Sequence, residues 1–139
     1  MLKQDFARLT LGMFAMSFGA YPVTFTLAGT AEAPQGKADV IAVKGPADFS
    51  ARLFIDSQTH LPLMLSWQGP QASPPPPSSA PQTGPTENRI YYADYREVDG
   101  LRWPFRIRRA VGADTVEETT FDRFRINGKI DPKKFEVRK

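Results

Sequence analysis

Residues 90–110 have the sequence IYYADYREVDGLRWPFRIRRA, and they decide the fold. At their centre, Asp99-Gly100 favours a two-residue type I′ turn, because both positions of that turn need a positive φ. Such a turn fixes the register of the two runs that flank it, Ile90–Val98 and Leu101–Ala110. The predicted partners are Val98 and Leu101, Glu97 and Arg102, Arg96 and Trp103, and Tyr92 and Ile107.

The second run of this hairpin has two different faces, because side chains alternate along a strand. One face carries Leu101, Trp103, Phe105 and Ile107, and the other carries Arg102, Pro104, Arg106 and Arg108. A row of arginines with interleaved tyrosines such as Tyr91 is typical of some nucleic-acid platforms. The net charge of the chain is only +3, however, and Glu97 is expected to pair with Arg102. We therefore interpret the arginine row as a solvated sheet face and expect no nucleic-acid partner.

Further strands are predicted on both sides of the hairpin, where apolar residues alternate with polar ones. They cover Val23–Leu27, Ala38–Lys44, Phe49–Ile55, Leu61–Trp67 and Val116–Ile126. The connections between neighbours are too short for parallel crossovers, which implies antiparallel pairing in chain order. The sequence predicts a mainly β (α+β) domain, with a curved antiparallel meander of about seven strands packed on an N-terminal helix.

The N-terminal segment allows two interpretations. Leu2, Phe6, Leu9, Met13 and Met16 form one stripe of an α-helix over residues 2–19, and Gly19 and Pro22 would end it. Alternatively, residues 1–20 with their early cationic residues and apolar stretch have the outline of a signal peptide, with Ala31-Glu32-Ala33 as its cleavage site. The helix is the favoured interpretation, and the signal peptide stays open.

Residues 69–88, GPQASPPPPSSAPQTGPTEN, differ in composition from the rest of the chain. Proline has no amide proton to donate to a ladder, so the segment is predicted to be an exposed loop with polyproline character. A loop of this length inside a compact domain is either functional or disordered. The 139 residues otherwise have room for one domain, which we place at 1–139.

Catalytic chemistry has little support in this composition. The chain has no cysteine and one histidine, His60, whereas a zinc site needs three or four convergent ligands. Asp56, Ser57 and His60 lie within one tight turn, which is a poor arrangement for a catalytic triad. The sequence therefore predicts a binding domain rather than an enzyme, with no catalytic residue, no metal and no cofactor.

The predicted binding site is the apolar face of the sheet. If the sheet curves away from the helix, a hollow lined by apolar side chains forms between them. The candidate lining residues are Phe25, Leu53, Leu63, Leu65, Trp67, Trp103, Phe105 and Ile107, which would otherwise be core residues. Asp94 and Arg96 are predicted on the same face, where they mark the mouth or edge of the hollow, pair with each other or stack on Trp103.

Four stretches carry a resemblance to a known family. They are Phe49–Pro62 (FSARLFIDSQTHLP), Tyr91–Ile107 (YYADYREVDGLRWPFRI), Ile126-Asn127 and Ile130–Phe135 (IDPKKF). Together they resemble the outer-membrane lipoprotein carrier (LolA-like) superfamily over roughly residues 20–139. Compared with the carriers, the chain is short at its N-terminal end, so it would correspond to the C-terminal portion of a longer protein.

The resemblance implies a half-open barrel whose apolar hollow receives acyl chains, in a protein of the periplasm or cell envelope. Its implied partners are a lipid or an acylated protein. A missing part of the wall would also expose sheet edges, which predicts a homo-oligomer or a protein partner. The leading hypothesis is thus a non-enzymatic envelope domain that holds a lipid between sheet and helix. The alternative is a protein-interaction module that uses sheet edges or the Pro-rich loop and has no small ligand.

Overall fold

A computed structural model describes residues 2–33, 36–69 and 85–136. Within them the chain forms one helix, seven strands and a short 3-10 helix at Pro132–Phe135. The bounds are α1 Leu2–Phe14, β1 Thr24–Ala33, β2 Gly36–Lys44, β3 Ser50–Asp56, β4 Pro62–Gly69, β5 Thr86–Val98, β6 Leu101–Val111 and β7 Asp114–Thr120.

The strands form one antiparallel sheet in chain order, from β1 to β7. This confirms the predicted mainly β fold, with seven antiparallel strands and an N-terminal helix. β1 and β7 do not pair with each other in the described residues, so the sheet is not closed.

The central hairpin has the predicted register. Asp99 and Gly100 both have positive φ, 49° and 82°, as a type I′ turn requires. All four predicted residue pairs are present, from Val98 with Leu101 to Tyr92 with Ile107. The turn therefore determined which side chains share a face along β5 and β6.

Several element ends differ from those predicted. The helix ends at Phe14 rather than residue 19, because Ala15 adopts a left-handed conformation with φ 50°. β1 continues through Gly29, which absorbs an irregularity in the pairing with β2. β7 ends at Thr120 instead of Ile126, and Phe121 to Phe124 turn to pack beside Phe105.

The predicted loop over residues 69–88 is shorter at both ends than expected. Gly69 pairs with Thr86, Gln68 with Glu87 and Trp67 with Asn88, so the β4–β5 ladder extends into it. Thr86 to Asn88 contain no proline, so each of them has a backbone N–H that can donate to a ladder. The proline-rich part of the prediction, residues 70–84, lies outside the described residues.

The helix packs on β4 and β5 with a face that coincides only in part with the predicted apolar stripe. Leu11 is 2% exposed and Ala7 and Thr10 are also buried, whereas Phe6 is 66% and Leu9 41% exposed. The core beneath the helix contains Val43, Leu53 and Leu65. Phe6 and Leu9 of the predicted apolar stripe therefore lie away from the core, whereas Met13 of the same stripe packs against it.

Gly12 explains which face of the helix packs on the sheet. A Cβ atom at Gly12 would lie 1.7 Å from the Tyr92 hydroxyl oxygen, so only glycine allows the helix to approach the sheet this closely. With Gly12 against β5, the small residue Ala7 and the side chain of Leu11 face the core. Helix position is therefore set by close contact rather than by maximum apolarity.

Candidate functional site

The eight residues predicted to line a hollow lie in different environments. Leu53, Leu65 and Phe105 are buried, Trp67, Trp103 and Ile107 are half-buried, and Phe25 and Leu63 are exposed. Leu53 and Leu65 pair directly across β3 and β4 and belong to the core beneath the helix. Of the eight, Leu63 alone lines the cavity described below. Ligand contact by all eight residues stays a prediction.

Arg8 further anchors the helix to this side of the sheet. Its guanidinium carbon lies 5.0 Å from the Trp67 ring centroid and 5.5 Å from that of Phe49. The same guanidinium donates a hydrogen bond of 3.0 Å to Asp5 on the helix. Cation–π contacts of a shielded guanidinium stabilise such packing, so the space between helix and sheet is occupied by side chains of the chain itself.

Asp94 and Arg96 pair with each other. Arg96 donates from Nη2 to one Asp94 oxygen at 2.7 Å and from Nε to the other at 3.2 Å. These hydrogen bonds hold the pKa of Asp94 below its ordinary value. The Arg96 guanidinium also lies 4.7 Å above the Phe105 ring, which places it on the predicted face. Of the predicted alternatives, the structure shows the mutual pair, and the guanidinium stacks on Phe105.

A cavity of about 690 Å³ lies on the opposite face of the sheet from the helix. All seven strands contribute to its wall. Its lining includes a row of residues that pair across adjacent strands: Phe54 with Met64, Met64 with Tyr91, Tyr91 with Arg108, and Arg108 with Glu118. The size is within the range of small-molecule sites, and the mixture of apolar wall and few polar groups is typical of them.

Small and apolar residues form part of the cavity wall. Ala31 of β1 and Ala38 of β2 line it, and they are direct cross-strand partners. Leu63 lines it at the bulge where Ile55 pairs with Pro62 while Phe54 pairs with Met64. Because this bulge adds one residue to β4, Leu63 no longer shares the face of Leu65, contrary to the simple alternation predicted.

The charged groups on the cavity wall are mostly engaged. The Arg106 Nε atom lies 3.7 Å from a Glu118 oxygen, and Glu32 lies 3.1 Å from Lys37. Asp56 accepts hydrogen bonds from the amides of Thr59 at 2.7 Å and Gln58 at 2.9 Å, which lower its pKa. The Asp56 carboxylate therefore stabilises the turn in which the sequence places it.

Arg108 differs from the other charged residues of the wall. Its Nη1 atom donates to Thr115 Oγ1 at 3.1 Å, and its guanidinium carbon lies 4.3 Å from the centroid of the Tyr91 ring. No carboxylate of the described residues forms an ion pair with it. An arginine oriented by an aromatic ring and lacking a counter-ion can bind an anion.

The sequence did not predict this cavity. Phe54 and Met64 each lie next to a predicted lining residue in the sequence and were not among the candidates, and Arg106 and Arg108 were assigned to a solvated arginine row. Phe54 could have indicated a second apolar face in the sequence, because it is a large apolar residue on the same alternation as the polar residues Ser50 and Arg52. A strand that is apolar on both faces indicates that both faces contact something other than water.

Across the described residues, no group of three or more His, Asp or Glu side chains is arranged to hold a metal ion. No helix in that part of the chain combines the length and the apolarity needed to cross a bilayer.

Comparison of the chain with protein-family models, curated proteins and solved structures finds no match. The resemblance to the lipoprotein carrier superfamily therefore stays a prediction.

Proposed function

We propose that this domain binds a lipid or a single acyl chain in the cavity on the face of the sheet away from the helix. The observation that carries the proposal is the cavity itself, about 690 Å³ in volume with Phe54, Met64 and Tyr91 across its floor. A slender apolar ligand would remove these side chains from water, at a gain of roughly 25 cal/mol per Å² of apolar surface.

The proposal moves the ligand from the helix side to the open side of the sheet. The helix side is already packed by Leu11, Arg8 and the core residues, whereas nothing in the described chain fills the open side. A sheet that curls around this cavity as a half-open barrel is part of the proposal, as is the relationship to the lipoprotein carriers. An envelope location and an acylated protein as ligand donor follow from that relationship.

The first experiment is native mass spectrometry of the purified protein before and after solvent extraction. An adduct of lipid mass that disappears on extraction supports the proposal. The second experiment is titration with N-phenyl-1-naphthylamine, an uncharged fluorophore that becomes bright in apolar sites. We expect saturable binding to the unmodified protein after extraction.

Site-directed variants then locate the site. Met64→Glu places a carboxylate on the cavity floor, and binding of the fluorophore should weaken at least tenfold, because burial of an unpaired charge is unfavourable. Met16→Glu is the matched control, since Met16 is exposed after the helix and does not line the cavity. Ala93→Glu repeats the test at an exposed residue of the wall. Normal binding by a folded Met64→Glu variant would contradict the proposal.

A second function, protein interaction through a sheet edge, has one observation in its favour. Every residue of β1 except Ala31 is exposed, and its outer edge is unpaired within the described chain. Edges with few charges and no proline can add a strand from another chain. A dimer mass in the same native spectrum, without a lipid adduct, would favour this alternative.

A further inference from the structure

We infer that the ligand of this cavity carries an oxyanion head group, and that Arg108 binds it. This inference rests on the proposed function, because it names the chemical class of ligand for the same cavity. The inference is supported by an observation that the proposed function does not use. Arg108 is the cation of the cavity wall that has no carboxylate partner among the described residues.

The surroundings of Arg108 leave donors free. A guanidinium has five N–H donors in a planar fork, and one nitrogen of Arg108, Nη1, donates to Thr115. The Tyr91 ring, 4.3 Å from the guanidinium carbon, restricts the orientation of that plane. A preoriented fork with unused donors suits bidentate binding of a carboxylate or a phosphate.

The neighbouring carboxylate does not occupy this fork. Glu118 is the direct cross-strand partner of Arg108, yet its nearest cation is Arg106, at 3.7 Å. Arg106 thus offsets the Glu118 charge beside the proposed head-group position. Asp56 and Glu32, the other carboxylates of the wall, are engaged by the amides of a turn and by Lys37.

The position of Arg108 also fits an amphiphile. The row from Phe54 through Met64 and Tyr91 to Arg108 crosses four adjacent strands, a span of about 14 Å at the usual strand spacing. It begins with apolar side chains and ends with the cation. An acyl chain laid along this row would place its head group at Arg108.

The test uses three ligands with the same twelve-carbon chain: dodecanoate, dodecyl phosphate and uncharged dodecan-1-ol. Each is titrated as a competitor of N-phenyl-1-naphthylamine, below its micelle concentration and at low ionic strength. We expect at least one of the two anions to bind about 10-fold more tightly than the alcohol, as charge-assisted hydrogen bonds at a partly exposed site allow. Which anion binds better distinguishes a carboxylate from a phosphate source.

Variants assign the preference to Arg108. Arg108→Gln should reduce the ratio of anion to alcohol affinity to about one, with dodecan-1-ol binding unchanged. Arg108→Lys keeps the charge without the fork and should retain part of the preference. Arg109→Gln is the matched control, because Arg109 is adjacent, pairs with Glu117 and does not line the cavity.

The outcomes separate the inference from the proposed function. Equal binding of the anions and the alcohol by the unmodified protein overturns the head-group inference and leaves the cavity proposal intact. Loss of all three ligands in a folded Arg108→Gln variant also overturns it, since Arg108 would then shape the wall rather than bind charge. Failure of the fluorophore and all three ligands to bind the unmodified protein overturns both.

Discussion

The substitution of Leu11 by alanine tests the helix face that packs on the sheet. Leu11 is 2% exposed and contacts the core of Val43, Leu53 and Leu65. Truncation of a buried leucine removes its transfer free energy and leaves a cavity, and such changes cost about 2–5 kcal/mol. This is a large fraction of the 5–15 kcal/mol that typical domains possess.

Leu9→Ala is the matched control, because it makes the same chemical change two residues away on the same helix. Leu9 is 41% exposed, and alanine has a slightly higher helix propensity than leucine. We expect a change in the free energy of unfolding of less than about 0.5 kcal/mol. The helical stripe through Phe6, Leu9 and Met13 predicted the opposite order.

The assay is urea unfolding, followed by far-ultraviolet circular dichroism and by the fluorescence of Trp67 and Trp103. Coincident transitions would establish two-state unfolding, and an unchanged slope with a lower midpoint would assign the effect to stability. If Leu9→Ala costs as much as Leu11→Ala, the helix packs with the face that its apolar stripe favours, and the described contact of Gly12 with β5 is incorrect.

Two further predictions concern the contact between helix and sheet. Gly12→Ala should destabilise the protein, although alanine gains about 1 kcal/mol in helix propensity, because its Cβ would meet the Tyr92 hydroxyl. The loss measured by urea unfolding should shrink in a Tyr92→Leu background, and a gain in stability would contradict the contact. Burial raises the pKa of Tyr92 in the folded protein above its ordinary value near 10. A raised folded pKa means that the associated stability is complete below about pH 10 and is lost as the pH rises further. Tyr92→Phe should flatten this alkaline loss while keeping stability at pH 7, since the hydroxyl has no hydrogen-bond partner in the described chain. An identical alkaline profile in both proteins would assign the loss to other groups.

Structural features that depend on residues close together in the sequence could be predicted from it. The register of β5 and β6 was predictable because Asp99-Gly100 fixes it locally. The turn at Asp56 was predictable for the same reason, since its carboxylate bonds amides two and three residues away. Both features depend on residues that are close in sequence.

The helix face was not predictable in this way. Two faces of the helix carry apolar residues, and the choice between Leu9 and Leu11 depends on Gly12 meeting Tyr92 from a distant strand. The cavity wall was missed for a related reason. Alternation identifies one apolar face per strand, whereas β3 places Leu53 on one face and Phe54 on the other, and the bulge at Leu63 interrupts the alternation in β4.

The meander order of the strands has a consequence for how the protein folds. Each strand pairs only with its neighbours in the chain, so sheet formation needs no contact between the first and last strands. Such local pairing corresponds to low contact order, which favours rapid folding. The helix is different, because its contacts with β4 and β5 join the start of the chain to its middle. The helix can therefore dock only after β4 and β5 have formed, and it can detach from the sheet without breaking any pairing between strands.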